Sequence, residues 1–89
     1  MITAIILINV ERHRVNEIAE HLASLNEISE VYSVSGKFDL VAIVRAKDND
    51  SLAQLVTNHL LKIEGIEKTE TLLAFKAYSR HDLDTIFSW

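Results

Sequence analysis

The sequence predicts an α+β fold in which an antiparallel four-stranded sheet carries two helices on one face. Two observations point to it. The segments "ITAIILINV" and "FDLVAIVRA" are almost continuously apolar, as strands buried on both faces are. Two other segments, beginning near Val15 and Asp48, repeat apolar residues at spacings of three and four, the period of a helix with one buried side. With 89 residues, 48% of them hydrophobic, the chain is long enough for one core without a metal or a disulfide.

The elements follow in order. Ile2 to Val10 reads as a central strand. Val15, Ile18, Ala19, Leu22 and Leu25 then form the apolar side of a helix that stops near Asn26, with Arg14, Glu17, Glu20, His21 and Ser24 on its other side. Ile28 to Ser35 mixes β-branched and aromatic residues, with Glu30, Tyr32 and Val34 on one side and Val31 and Ser33 on the other. A turn centred on Gly36 leads into the second central strand, Phe38 to Ala46.

Asp48, Asn49 or Asp50 caps a second helix, whose stripe is Leu52, Leu55, Val56, His59, Leu60 and Ile63 and whose end is set by Gly65. Ile66 to Ser79 supplies the last strand, and a tail over 79–89 shows helical spacing at Leu83, Ile86 and Phe87. The order β-α-β-β-α-β with right-handed crossovers is the ferredoxin-like arrangement, with the first and third strands central. Its helices cover one face only, yet the central strands are apolar on both. A second copy is expected to cover the other face by sheet-on-sheet packing, as in a dimeric α/β barrel.

Composition excludes several functions. Without cysteine there is no disulfide, thiolate metal site or cysteine nucleophile. The net charge is −4 and the nine basic residues are scattered, so the concentrated basic face that binds nucleic acid is missing and no direct contact with DNA is expected. The apolar start is far shorter than the about 20 residues that span a bilayer and has no cleavage pattern, which reads as a soluble cytoplasmic protein without membrane attachment.

Gly36-Lys37 is no phosphate-binding loop: the glycine that should stand five residues earlier is Val31, and a strand follows where the loop needs a helix. His13, Glu17 and His21 are spaced by four, but on the solvated side of the first helix, and His59 and His81 have no patterned partners; no metal site is assigned. The hydroxyls of Ser33, Ser35, Thr69 and Thr71 have no histidine nearby in sequence to act as base. Asp39 reads as a turn residue bonding to backbone amides, and Glu70 as an exposed strand position.

Two stretches stand apart. Gly36-Lys37-Phe38-Asp39 sits at the hairpin, and Lys68-Thr69-Glu70-Thr71 opens the last strand with polar groups. A free amino acid needs an acceptor for its ammonium group and donors for its carboxylate, and open loop amides, an aspartate and threonine hydroxyls supply both.

On the "SVSGKFDLVAIVRA" hairpin, the "IEGIEKTETLLAF" passage and the element order, residues 1–78 resemble the effector-binding domain of the Lrp/AsnC transcriptional regulators, the regulation of amino-acid metabolism (RAM) domain. The resemblance implies a sheet-to-sheet dimer, rings of dimers, and amino acids bound where dimers meet, with no cofactor and no catalysis. Carried over by position, Gly36, Lys37, Phe38 and Asp39 would form the hairpin side of the site, and Thr69, Glu70 and Thr71 the side from the last strand, from a neighbouring dimer. Full-length relatives begin with a DNA-reading helix-turn-helix, whereas this sequence starts at the first strand. It therefore reads as a stand-alone member that senses an effector or assembles with full-length regulators. The alternative is a small cofactor-free monooxygenase or isomerase on the same barrel, which requires a cavity between sheet and helices faced by a histidine or carboxylate.

Overall fold

The computed structural model describes residues 1–78 and residue 80. Its strands are β1 (Ile2–Val10), β2 (Ile28–Ser33), β3 (Leu40–Ala46) and β4 (Ile66–Leu73), paired antiparallel in the order β2-β3-β1-β4. Helix α1 (Val15–Ala23) follows a 3₁₀ turn at Arg12–Arg14, and α2 begins at Asn49–Gln54. This is the ferredoxin-like arrangement, with β1 and β3 central as the two apolar runs require.

Alternation along β1 builds the core. Ala4, Ile6, Ile8 and Val10 are buried and meet Leu40, Ala42, Val44 and Ala46 of β3, with Ile18 and Leu22 of α1 and Leu55 and Leu60 of the second helical run packed on them. Full burial of each large aliphatic side chain contributes about 1.5–3 kcal/mol. Ile5, Leu7, Val41 and Ile43 alternate onto the opposite, open face, where they are half-buried. Leu72 (43% exposed) and Tyr32 (50%) flank them on the outer strands, so this face, which no helix among the described residues covers, is apolar in its middle.

Several expected boundaries move. β2 ends at Ser33 and β3 starts at Leu40, leaving 34–39 as a loop closed by the Val34 amide on the Asp39 carbonyl at 3.0 Å. β4 ends at Leu73 and not near Ser79, because β1, its partner, begins at Ile2; the Ala74 amide still reaches the Thr3 carbonyl at 3.0 Å. The helical spacing at Leu83, Ile86 and Phe87 lies outside the described residues.

The second helix departs from regularity. Asp48 caps it, accepting from the Ser51 amide at 2.8 Å, but from Leu55 to His59 the run widens into a π turn and then tightens into a 3₁₀ turn at Leu60–Lys62. Leu55 and Leu60, five apart, would point about 140° from each other on a regular helix; the wide turn brings both into the core. That change of phase leaves His59 exposed and not on the apolar stripe.

Gly65 does not close the helix directly. Ile63 is already extended, and Gly65 turns the chain into β4 at φ +97, with its carbonyl accepting from the Glu11 amide at 2.8 Å. A Cβ there would stand 2.8 Å from Ile18 Cδ1 and 3.0 Å from Arg14 Nη1.

Candidate functional site

The hairpin loop 34–39 is fastened to the end of β1. β3 pairs with β1 only as far as Leu40 opposite Ile8, so the Val10 amide has no strand beyond it to receive its hydrogen bond. The Asp39 carboxylate takes that place, accepting from Val10 through Oδ2 at 2.9 Å, while the Asp39 amide donates to the Ile8 carbonyl at 3.0 Å. Asn9 completes the fastening: its Nδ2 donates to the Lys37 carbonyl at 2.8 Å and lies 3.4 Å from Asp39 Oδ2.

The loop leaves a set of complementary groups unpaired. Gly36 adopts φ +114, a left-handed conformation that glycine takes without strain, in open space. Among the described residues, the amides of Gly36, Lys37 and Phe38 make no hydrogen bond, and Asp39 Oδ1 accepts none. Gly36 and Lys37 are exposed, Phe38 and Asp39 half-buried. The loop therefore presents amide donors beside a carboxylate acceptor, with an aromatic ring between them in sequence.

The other predicted group sits one strand away. Thr69 pairs with Ile8, Glu70 with Leu7 and Thr71 with Ile6, so Asp39 and Thr69 flank Ile8 from opposite sides, about 10 Å apart at two strand spacings. Opposed residues of an antiparallel pair share a face, which places Thr69 and Thr71 with the buried Ile8 and Ile6 on the helix side. Glu70 and Lys68 fall with Leu7 and Asn9 on the open side. Within one chain, then, the hairpin and the start of β4 lie at the same end of the sheet, but Thr69-Glu70-Thr71 is split between its two faces.

Asn9 escaped the sequence reading. Its signal was available: a single amide-bearing residue near the end of an otherwise apolar strand.

Elsewhere, ionisable groups are engaged locally. Arg14 donates to Glu17 at 2.9 Å, a hydrogen bond that raises the guanidinium pKa and lowers that of the carboxyl. Tyr32 is pushed up chiefly by donating to Glu30 at 2.6 Å. His13, Glu17 and His21 do not form a metal centre: among the described residues no group of three or more His, Cys, Asp or Glu could hold an ion. A groove at the opposite end of the sheet is lined by Thr3, Arg45, Asn49, Phe75, Lys76 and Tyr78 and, among the described residues, by no carboxylate. Its charged side chains there are the cations Arg45 and Lys76, with no carboxylate to pair with an ammonium group. Among the described residues no helix is long and apolar enough to cross a membrane.

The fold and the sequence have known relatives. Residues 3–83 match the Lrp/AsnC ligand binding domain, and the chain belongs to the Lrp/AsnC family. It is 40% identical over 70 residues to an HTH-type transcriptional regulator of Pyrococcus furiosus, covering 79% of this chain and 47% of that protein. The regulator FL11 of the same organism is 35% identical over 77 residues, covering 86% of this chain and 50% of that protein. The chain thus spans about half the length of these curated relatives. Among solved structures it is similar to TTHA0845 from Thermus thermophilus, with 52% identity and a TM-score of 0.84 over 90% of this chain and 100% of that one. It is also similar to AsnC of E. coli, with 25% identity and a TM-score of 0.80 over 85% of this chain and 52% of that one.

Proposed function

We propose that this domain binds a small effector, an amino acid or a close analogue, at the 36–39 hairpin, and that binding changes how copies of the chain assemble. The observation that carries the reading is the loop's chemistry: free amides at Gly36, Lys37 and Phe38 beside an uncommitted Asp39 oxygen. The amides suit a carboxylate and the aspartate an ammonium group, and an amino acid carries both.

Assembly enters because a single chain leaves the site open. The apolar middle of the uncovered face supports a homodimer built sheet to sheet, and the separation of the hairpin from Thr69, Glu70 and Thr71 supports a site completed by β4 of another dimer in a ring. Such a cytoplasmic module influences transcription through chains that read DNA, whether joined to it or assembled with it, and needs no cofactor.

The enzyme alternative gains no support. It requires a cavity between sheet and helices, and that space is filled by Ile6, Ile8, Leu40 and Val44 against Leu22, Leu55 and Leu60, each with at most 1% of its surface exposed.

Thermal-shift screening of the amino acids, paired with mass measurement in solution, tests the proposal. At least one amino acid is expected to raise the melting temperature or shift the oligomer distribution, and Gly36→Ala, which disturbs the loop path but meets no neighbouring atom, to weaken that response. Silence across the whole set counts against effector binding.

A further inference from the structure

We infer that Asn9 is a positioning residue of the effector loop, a latch that sets the hairpin amides and the Asp39 carboxylate in their working geometry and ties them to β4. The inference rests on the proposed effector reading for its consequence, but its structural content stands apart from any ligand. Position 9 lies on the open sheet face, in line with Ile5 and Leu7, where an aliphatic side chain would suit sheet packing. The residue there instead carries a primary amide whose Nδ2 lies within hydrogen-bond distance of two acceptors, the Lys37 carbonyl at 2.8 Å and Asp39 Oδ2 at 3.4 Å.

The chemistry of that pair of contacts is restrictive. Both partners are oxygens, so the group between them must donate twice and carry no negative charge. Aspartate at this position would set a carboxylate against a carboxylate and a carbonyl, serine could satisfy only one acceptor, and leucine neither. Asp39 Oδ2 lies within reach of both the Val10 amide, at 2.9 Å, and Asn9 Nδ2, so the two donors together hold that oxygen at the end of β1 and leave Oδ1 without a hydrogen bond. Holding the Lys37 carbonyl likewise fixes the peptide plane that carries the Phe38 amide.

Asn9 also reaches the other half of the site. Its backbone stands opposite Lys68 in the β1–β4 ladder, at the last pair before the register shifts between Asn9 and Val10. One residue thus holds the hairpin with its side chain and the start of β4 with its main chain. A displacement of either is passed to the other through Asn9, the route by which an occupied loop alters the edge strand.

Three variants, Asn9→Asp, Asn9→Leu and Asn9→Ser, test this with two readouts. The first needs no ligand: amide hydrogen exchange followed by NMR. Loss of the latch is expected to speed exchange at Val10, Val34 and Asp39 by about tenfold, with Asn9→Ser intermediate, while Ile6 and Val44 in the core keep their protection and show that each variant is folded. Unchanged exchange at those three amides overturns the latch, whatever the effector screen gives. The second readout is the dissociation constant of whichever amino acid shifts the wild-type protein, expected to rise about tenfold in Asn9→Asp and Asn9→Leu with core protection intact. Faster loop exchange with unaltered affinity overturns the positioning role, whereas a wild type that answers no amino acid refutes the effector reading and leaves the exchange result to decide the latch.

Discussion

Asp39 accepts the Val10 amide at 2.9 Å and so ends the pairing of two central strands with a side chain where the main chain of β3 has already turned away. The second oxygen of the same carboxylate accepts no hydrogen bond among the described residues. In the proposed site anchor and recognition group are one residue, so substitutions at Asp39 are expected to carry two effects. Asp39→Ala is expected to cost about 1–2 kcal/mol by leaving the amide of the buried Val10 unpaired. Asp39→Asn, which retains an acceptor oxygen, should lose less stability and still lose the charge that suits an ammonium group. Urea unfolding of both variants beside wild type reads the stability effect, and their response to the amino acid that shifts wild type reads the other.

The two glycines are glycine for different reasons, and their alanine variants should differ. Gly36 needs only a positive φ, since a Cβ would meet nothing within 4 Å. Gly65 needs the positive φ and also the space, with Ile18 Cδ1 at 2.8 Å from a built Cβ. Gly65→Ala is expected to destabilise by about 2–4 kcal/mol and Gly36→Ala by about 1 kcal/mol. Thermal melts of the two variants check the order, and equal losses would remove the steric argument at Gly65.

The start of α2 is held by a charge. The Asp48 carboxyl is lowered below its ordinary value, first by the hydrogen bond from the Ser51 backbone. A lowered folded-state pKa means that the contribution is complete above the ordinary aspartate range and is lost as the pH falls through the lowered value. The stability difference between wild type and Asp48→Asn should thus be constant around neutrality and shrink on acidification below the ordinary aspartate range. Melting temperatures measured across that range show it.

The widened turn of the second helix gives a contrast between adjacent residues. Leu60 is fully buried and His59 exposed, so Leu60→Ala is expected to cost about 2–5 kcal/mol and His59→Ala less than about 0.5 kcal/mol. Had the run been a regular helix with His59 on its apolar stripe, the two costs would lie much closer.

The order of elements was legible because each segment carries its own period. β1 and β3 announce themselves by unbroken apolar runs, and α1 by Val15, Ile18 and Leu22. The second helix was legible as an element but not in phase: Leu52, Leu55 and Val56 fit one stripe, and nothing in side-chain type marks the extra residue that a π turn inserts before Leu60. Strand ends were misjudged where pairing and not propensity decides. Phe38 and Asp39 look like strand residues, yet the hydrogen bonds of Asp39 go to β1 and across the loop. The polar passage at Thr69, Glu70 and Thr71 was visible, but its division between two faces follows from its register with Ile8, Leu7 and Ile6, which one sequence does not contain. The turn reading of Asp39 holds through Oδ2 and the Val10 amide, and the proposed recognition role would use the other oxygen.

The most direct measurement on the central claim is the NMR shift of the Gly36, Lys37 and Phe38 amides as amino acids are titrated into the wild-type protein. Binding of an amino acid at the hairpin predicts saturable shifts at these amides and at Asp39, absent or much weakened in Asp39→Asn. Saturable shifts confined to Thr3, Arg45 and Tyr78 at the far end of the sheet, or none for any amino acid, would contradict it.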